Sequence, residues 1–138
     1  VSRDAAEAWL YRRLKTLPGL HALGGRIYPM IAPPGTVPPF AIYLRKSTDA
    51  IQTFQAPLPY EETSFVITVF ASSYLGSKTL AKTIRETLNG FVGFSGGVHI
   101  LFVAITSEAD TLVSADAGEL LPFYGVEIAL EIKHRTEQ

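Results

Sequence analysis

The chain has 138 residues, 47% of them hydrophobic and 18% charged, which is enough for one domain with a real core and too apolar for disorder. Lys and Arg number 12 against 13 Asp and Glu, a formal net charge of -1, so no specific nucleic-acid binding driven by counterion release is expected. There is no cysteine, which removes disulfides and thiolate chemistry, and the apolar runs are strand-sized and interrupted, so no segment is expected to span a membrane.

In chain order, Asp4 is placed to cap a first helix with Glu7 reaching back from three positions on, and this acidic start lacks the basic-then-apolar layout of a signal peptide. Ala6, Leu10, Leu14 and Leu17 recur at helical spacing, and Pro18-Gly19 stops the pattern. A short extended piece, Arg26 to Met30, precedes a proline-rich segment that is expected to be irregular or an edge. Phe40 to Lys46 alternates as a strand, with Phe40, Ile42 and Leu44 on one face and Tyr43 and Arg45 on the other. Ser64 to Ala71 does likewise, setting Phe65, Ile67 and Val69 against Val66, Thr68 and Phe70.

A second helix is expected from Ser73 or Ser77, with Leu80, Ala81, Ile84 and Leu88 as its buried stripe and Asn89-Gly90 as its end. Two further strands come after it, Val98 to Ile105 and Phe123 to Lys133. The last directs Tyr124, Val126, Ile128, Leu130 and Ile132 inward and Glu127, Glu131 and Lys133 outward. The order α-β-β-β-α-β-β predicts a single α+β domain over 1–138, an antiparallel sheet with two main helices packed on it. The longest connections are Lys46–Glu62, read as a long loop between the second and third strands, and Ser107–Leu120.

Several patterns imitate chemistry. "GFSGG" at Gly93–Gly97 matches a nucleophile elbow, and Asp110 or Asp116 and His134 follow in the order a hydrolase triad requires. An elbow needs a strand before the serine and a helix after it, whereas here a helix precedes and a strand follows. "GSKT" at Gly76–Thr79 opens a helix but lacks the Gly-Lys pair and the earlier glycine with which a phosphate loop wraps its ligand. His21, His99 and His134 are too scattered for a metal set. Glu127 and Glu131 share a strand face roughly 13 Å apart, beyond the reach of a paired acid and base. The strand aromatics lack the interleaved Arg and Lys of a base-stacking sheet. No catalytic residue, metal or cofactor is assigned, and no enzymatic activity is expected.

The long connection "KSTDAIQTFQAPLPYEE" carries Ile51, Phe54, Leu58 and Tyr60, apolar choices that suit a contact better than water. Four segments carry a family resemblance: "AAEAWLYRRLKTLPGL", "GGRIYPMIAPPGTVPPFAIYLR", "SFVITVFASSYLGSKTLAKTIRETLNG" and "FYGVEIALEIKHR". In their order and spacing the chain resembles the tail-completion, or tail-terminator, proteins of long-tailed bacteriophages and prophages. That resemblance implies a structural protein of the virion, assembled in the host cytoplasm as a hexameric ring. The ring would cap the head-proximal end of the tail tube, stop its growth and present a joining surface to the neck or head-completion protein. It also implies the partners: other copies of the chain, the tail tube protein and a neck protein. Ile51, Gln52, Phe54, Leu58 and Tyr60 of the long connection, with the outward row Glu127, Glu131 and Lys133, are the candidate interface residues. A neighbouring tail or neck (head-tail connector) component is the alternative within that class. A small-molecule-binding or enzymatic α+β domain is the alternative outside it.

Overall fold

A computed structural model describes residues 5–52, 57–95, 98–113 and 123–135. Helix α1 (Ala5–Thr16) leads through a 3-10 segment, Pro18–Leu23, to strands β1 (Ile27–Pro29), β2 (Phe40–Gln52) and β3 (Pro57–Ala71). Helix α2 (Tyr74–Leu88) is next, and then β4 (Gly93–Ser95), β5 (Val98–Val113) and β6 (Phe123–Arg135). The strands form one six-stranded sheet in the order β1-β2-β3-β6-β5-β4. Both helices bury their apolar stripes in a single core, so the α+β architecture is as the periodicity predicts.

The sheet departs from expectation in three respects, one of them a sixth strand, β4, in a segment expected to be a turn. The first pair, β1 with β2, is parallel, while every other pair is antiparallel. The connection expected as a long loop is also mostly strand. β2 continues to Gln52 and β3 starts at Pro57, with Thr48 opposite Thr63 and Ala50 opposite Glu61, so that only 53–56, outside the described residues, separate them. A ladder satisfies backbone groups that a loop would leave to water, and Thr48, Ile51, Tyr60 and Thr63 are residues that favour it. Pro57 and Pro59, which read as loop signals, lie beyond Tyr60, where pairing with β6 begins among the described residues; a strand flanked on one side tolerates a missing donor. For the same reason β5 runs on to Val113, through much of the second expected connection.

The core is layered on the inward face of β3 and β6. Phe65, Ile67 and Val69 alternate with Val126, Ile128, Leu130 and Ile132 on the adjacent strand, all of them buried. In β2 it is Ala41 and Tyr43 that face the core, while Leu44 is partly exposed on the opposite face. Helix α1 contributes Ala6, Trp9, Leu10 and Leu14. Its ring contacts reach both sides of the sheet: Tyr11 meets Tyr43 of β2 at 6.1 Å between centroids, and Trp9 meets Phe91, just before β4, at 5.1 Å. A single helix touching both flanks requires the sheet to curl around it.

Helix α2 begins at an N-cap, Ser73, whose hydroxyl accepts from the Gly76 N–H at 3.0 Å. It then lies along β5 in the opposite direction. Lys78 pairs with Asp110, Arg85 is held by both oxygens of Glu108 at 2.8 and 3.0 Å, and the Asn89 amide oxygen accepts from the Ile105 N–H at 3.0 Å. The Gly90 N–H, in a residue with φ 79°, donates to the Val103 carbonyl at 2.7 Å. These contacts fix the helix axis and tie its C-terminus to the sheet.

On the outward face, Gly125 of β6 leaves space for the ring of Phe70, which stacks on Phe40 with centroids 4.9 Å apart. A Cβ at Gly125 would stand 2.7 Å from the Thr111 methyl and 3.1 Å from the Phe70 ring. Gly125→Ala is therefore expected to lower stability by about 1–3 kcal/mol through overpacking, read from urea unfolding midpoints. An unchanged midpoint would show that the ring shifts without cost.

Candidate functional site

Alternation places Glu62, Ser64, Val66, Thr68 and Phe70 of β3 on the face turned away from the core, beside Glu127, Ala129, Glu131 and Lys133 of β6. Ser107, Ala109 and Thr111 of β5 share that face. Phe40 and Phe70 are buried there against each other, yet they stand outside the main core, and neither helix packs over them among the described residues. The open face thus has an aromatic end and an acidic end.

At the acidic end a shallow cavity of about 200 Å³ is lined by Glu62, Phe102, Ala104, Glu131 and Lys133. Glu131 sits diagonally across the ladder from Glu62. A hydrogen bond that the protonated Glu131 donates to that neighbour, and then the neighbour's negative charge, push the Glu131 carboxyl above its ordinary titration range, while Lys133 pulls it back. The expected row Glu127, Glu131 and Lys133 is only partly brought together: Glu131 and Lys133 line the cavity, whereas Glu127 lies further along β6, opposite Thr68 and Ala109. Glu62, Phe102 and Ala104 are not among the expected residues. Extending the alternation of β3 back past Ser64 finds Glu62, but Phe102 and Ala104 depend on strand order, which local pattern does not encode.

Of the residues expected in the long connection, Ile51, Gln52 and Leu58 have backbones within the β2–β3 hairpin, and Phe54 lies outside the described residues. Tyr60 is half-buried opposite Arg135 of β6, whose guanidinium stands 5.6 Å from its ring centroid. That cation–π contact ties Tyr60 to its own sheet.

At the root of the hairpin is a buried polar group on the core side. The Thr63 hydroxyl and the His134 Nε2 share a hydrogen bond of 2.9 Å, Thr48 reaches Thr63 at 3.2 Å, and Glu61 is buried opposite His134. The His134 Nδ1 has no hydrogen-bond partner among the described residues. Burial lowers the His134 pKa, against smaller opposing effects of the Arg135 backbone and the Glu61 charge.

The motifs that imitate chemistry are used internally. The Ser77 hydroxyl donates to the Tyr74 carbonyl at 2.7 Å, Thr79 donates to the Leu75 carbonyl at 2.9 Å, and Lys78 is paired with Asp110, so "GSKT" serves its own helix. Ser95 ends β4, and the next element is the antiparallel strand β5 rather than the helix that a nucleophile elbow requires. His99 lies against the Phe94 ring, at 5.5 Å between centroids. Among the described residues no group of three or more His, Asp or Glu is placed to hold a metal ion.

Comparison with solved structures finds a chain from the "Virion of native gene transfer agent (GTA) particle", superposing with a TM-score of 0.61 at 14% identity and covering 91% of each chain. The two share a fold. That likeness is carried by architecture, since identity so low leaves few side chains in common. No protein-family model and no curated protein matches the chain.

This geometry predicts two titrations. The folded state holds His134 neutral, so the unfolded chain binds more protons just below the ordinary histidine pKa. Stability is then full above about pH 6.5 and falls as the pH drops toward the lowered folded value. Melting temperatures between about pH 5 and pH 8 are expected to show this slope, and His134→Gln to flatten it; an equal slope in the variant would assign it to other groups. Glu131 behaves oppositely: its raised folded pKa stabilises below about pH 4.5, and the contribution is lost as the pH rises through the folded value. Glu131→Gln is expected to melt higher than the parent at neutral pH and level with it in acid. A lower melting temperature at neutral pH would show that Lys133 outweighs Glu62.

Proposed function

We propose that this protein is a structural component of a phage-like virion, the tail terminator that caps the head-proximal end of the tail tube as a ring. The observation that carries the reading is the fold shared with a chain of the gene transfer agent virion over 91% of both chains. The ordered sequence resemblance to tail-completion proteins narrows that reading to the terminator. The surface is consistent with assembly: a sheet face without a helix over it among the described residues, a long hairpin, and polar motifs occupied by helix capping and ion pairing.

In this role the domain is a wedge repeated around the tube axis. A ring requires a heterologous contact, one patch meeting a different patch on the next copy, with a rotation that closes. The β2–β3 hairpin, with Ile51, Gln52 and Leu58 in its strands, supplies one such patch, and the open face with Glu127, Glu131 and Lys133 supplies another. Packing a large apolar side chain of the hairpin on a neighbour contributes about 1.5–3 kcal/mol, less the cost of ordering it.

Light scattering over a concentration series, with and without isolated tail tubes, tests the proposal. Rings on tube ends are the expected result, with weak association of the dilute protein. Binding to neck complexes but not to tubes would favour a neck component, and a stable dimer indifferent to tubes would reject both. Replacing residues 51–60 with Asn-Gly closes the hairpin at the Ala50–Glu61 pair in a two-residue turn and leaves the buried polar group in place. The shortened protein is expected to fold and to fail in ring formation. Normal capping by that variant would make the hairpin tip dispensable.

A further inference from the structure

Two clusters of charge have no ion pairs among the described residues, and they lie on opposite sides of the sheet. The first is on α1, where Arg12 and Arg13 line a cavity of about 210 Å³ with Trp9 and Thr16. Neither guanidinium makes an ion pair among the described residues, and the helix positions three and four away hold no acid. Arg13 stands 4.9 Å from the centroid of the Phe91 ring, and its Nε is buried without a hydrogen-bond partner among the described residues. That stacking restricts the side chain in advance of any contact. The Thr16 hydroxyl donates to the Arg12 carbonyl at 2.9 Å and reaches the Arg13 carbonyl at 3.3 Å, so the helix end is closed by its own side chain. Cations suit the end of a helix, which accounts for arginine at these positions but gives their Nη groups no acid to hold.

The second cluster is the cavity of Glu62 and Glu131 on the open face, and neither carboxyl makes an ion pair among the described residues. Lys133 lines the same cavity but offsets them only in part, since the hydrogen bond to Glu62 and its charge still push the Glu131 carboxyl up. Asp49 stands opposite Glu62 on β2 and adds a third acid, with the Ser47 hydroxyl 3.2 Å from it. Each cluster also has exposed apolar surface beside it: Val92, next to Phe91, is 60% exposed, and Phe102, in the acidic cavity, is 49% exposed. Two cavities of similar size therefore carry opposite charge. Cleft against cleft brings guanidinium groups together, and face against face brings carboxylates together. Only cleft against face sets arginine on carboxylate, a contact that can be bidentate.

We propose that the Arg12–Arg13 cavity of one copy receives the Glu62 and Glu131 carboxyls of the next, with Val92 and Phe102 supplying apolar contact at its margin. The occupant of each cavity is a second copy of this chain. The contact is heterologous, because α1 packs on the inward side of the sheet and the carboxyls stand on the outward side. Copies then stack front to back, and repetition gives a ring when the rotation closes. This rests on the ring-forming reading and specifies its contact. Arg13, already ordered on Phe91, loses little rotamer freedom on binding. The neighbour's cations also replace the mutual repulsion of Glu62 and Glu131, so the ionised pair is favoured in the assembly.

Charge reversal tests the contact. Arg12 is exposed, so Arg12→Glu is expected to leave the fold intact, and Glu131→Arg reverses the other side. Each single variant is expected to raise the protein concentration needed for rings on isolated tail tubes about ten-fold or more. Joined in one chain, the two reversals restore opposite charge at every contact. An equimolar mixture of the two single variants does the same where copies alternate around the ring. Assembly near the parent's concentration is expected in both cases, and rescue by mixing would not occur were either variant unfolded. Single variants that assemble like the parent, or impaired ones that neither combination restores, would overturn this contact and leave the ring reading standing. Absence of rings from the parent protein on tubes would overturn both.

Discussion

The β3–β6 ladder is the contact on which the remaining structure depends. It runs from Tyr60 opposite Arg135 to Ala71 opposite Tyr124, and its inward side chains are buried along most of that length. Both helices bury their stripes on this pair and its neighbours, β2 and β5 pair onto its two sides, and β1 and β4 are short additions further out. Burial on one face obliges the opposite face to be finished differently. There the ladder supports a small aromatic stack over Gly125 at one end and a pair of carboxyls at the other. Register shifts by a single residue would exchange the faces, moving Ile128 and Leu130 into solvent and Glu127 and Glu131 into the core. The hydrophobic pattern of β6 therefore fixes the sheet, and through it the composition of the exposed face.

The assembly reading draws on the same asymmetry. On the open face two carboxyls lie close enough that one raises the pKa of the other. In an assembly such a pair is a place where a neighbour's cation is favoured, although within the isolated chain it is only a modest repulsion. The buried polar group at Thr63 and His134 is a different matter. It is hydrogen-bonded within the core at the root of the hairpin, so it couples the hairpin to the body of the domain. Buried polar groups specify register because they lose their partners when a strand slips.

Much of this architecture is legible along the chain. The α1 stripe, the capped start of α2 at Ser73, its end at Asn89-Gly90 and the alternation of β6 all appear where periodicity and capping chemistry put them. These features are local, and local physics determines them. The hairpin is not legible in this way, because Pro57 and Pro59 are loop signals in isolation. Among the described residues the ladder with β6 reaches only to Tyr60, and a strand paired on one side accepts a proline. The parallel placement of β1 and the meeting of Phe102 with Glu131 depend on sheet order, a property of the whole chain. Tyr60 reads as a residue for a contact between subunits; within the chain its ring lies beside Arg135, and the composition of a segment says nothing about whose surface it will touch.

The pairing of Ala50 with Glu61 and of Tyr60 with Arg135 has an implication for how such a hairpin can change in length over generations. A strand side chain returns to the same face only every second residue, so removing one residue from each arm turns every contact beyond the cut to the opposite side. Removing two from each arm preserves the faces and withdraws the tip by about 6.6–6.8 Å. Tip length is therefore an even-numbered quantity in any lineage that keeps the same neighbour, and insertions that break parity would have to arise together with a compensating bulge. Reach and facing are inherited as one trait.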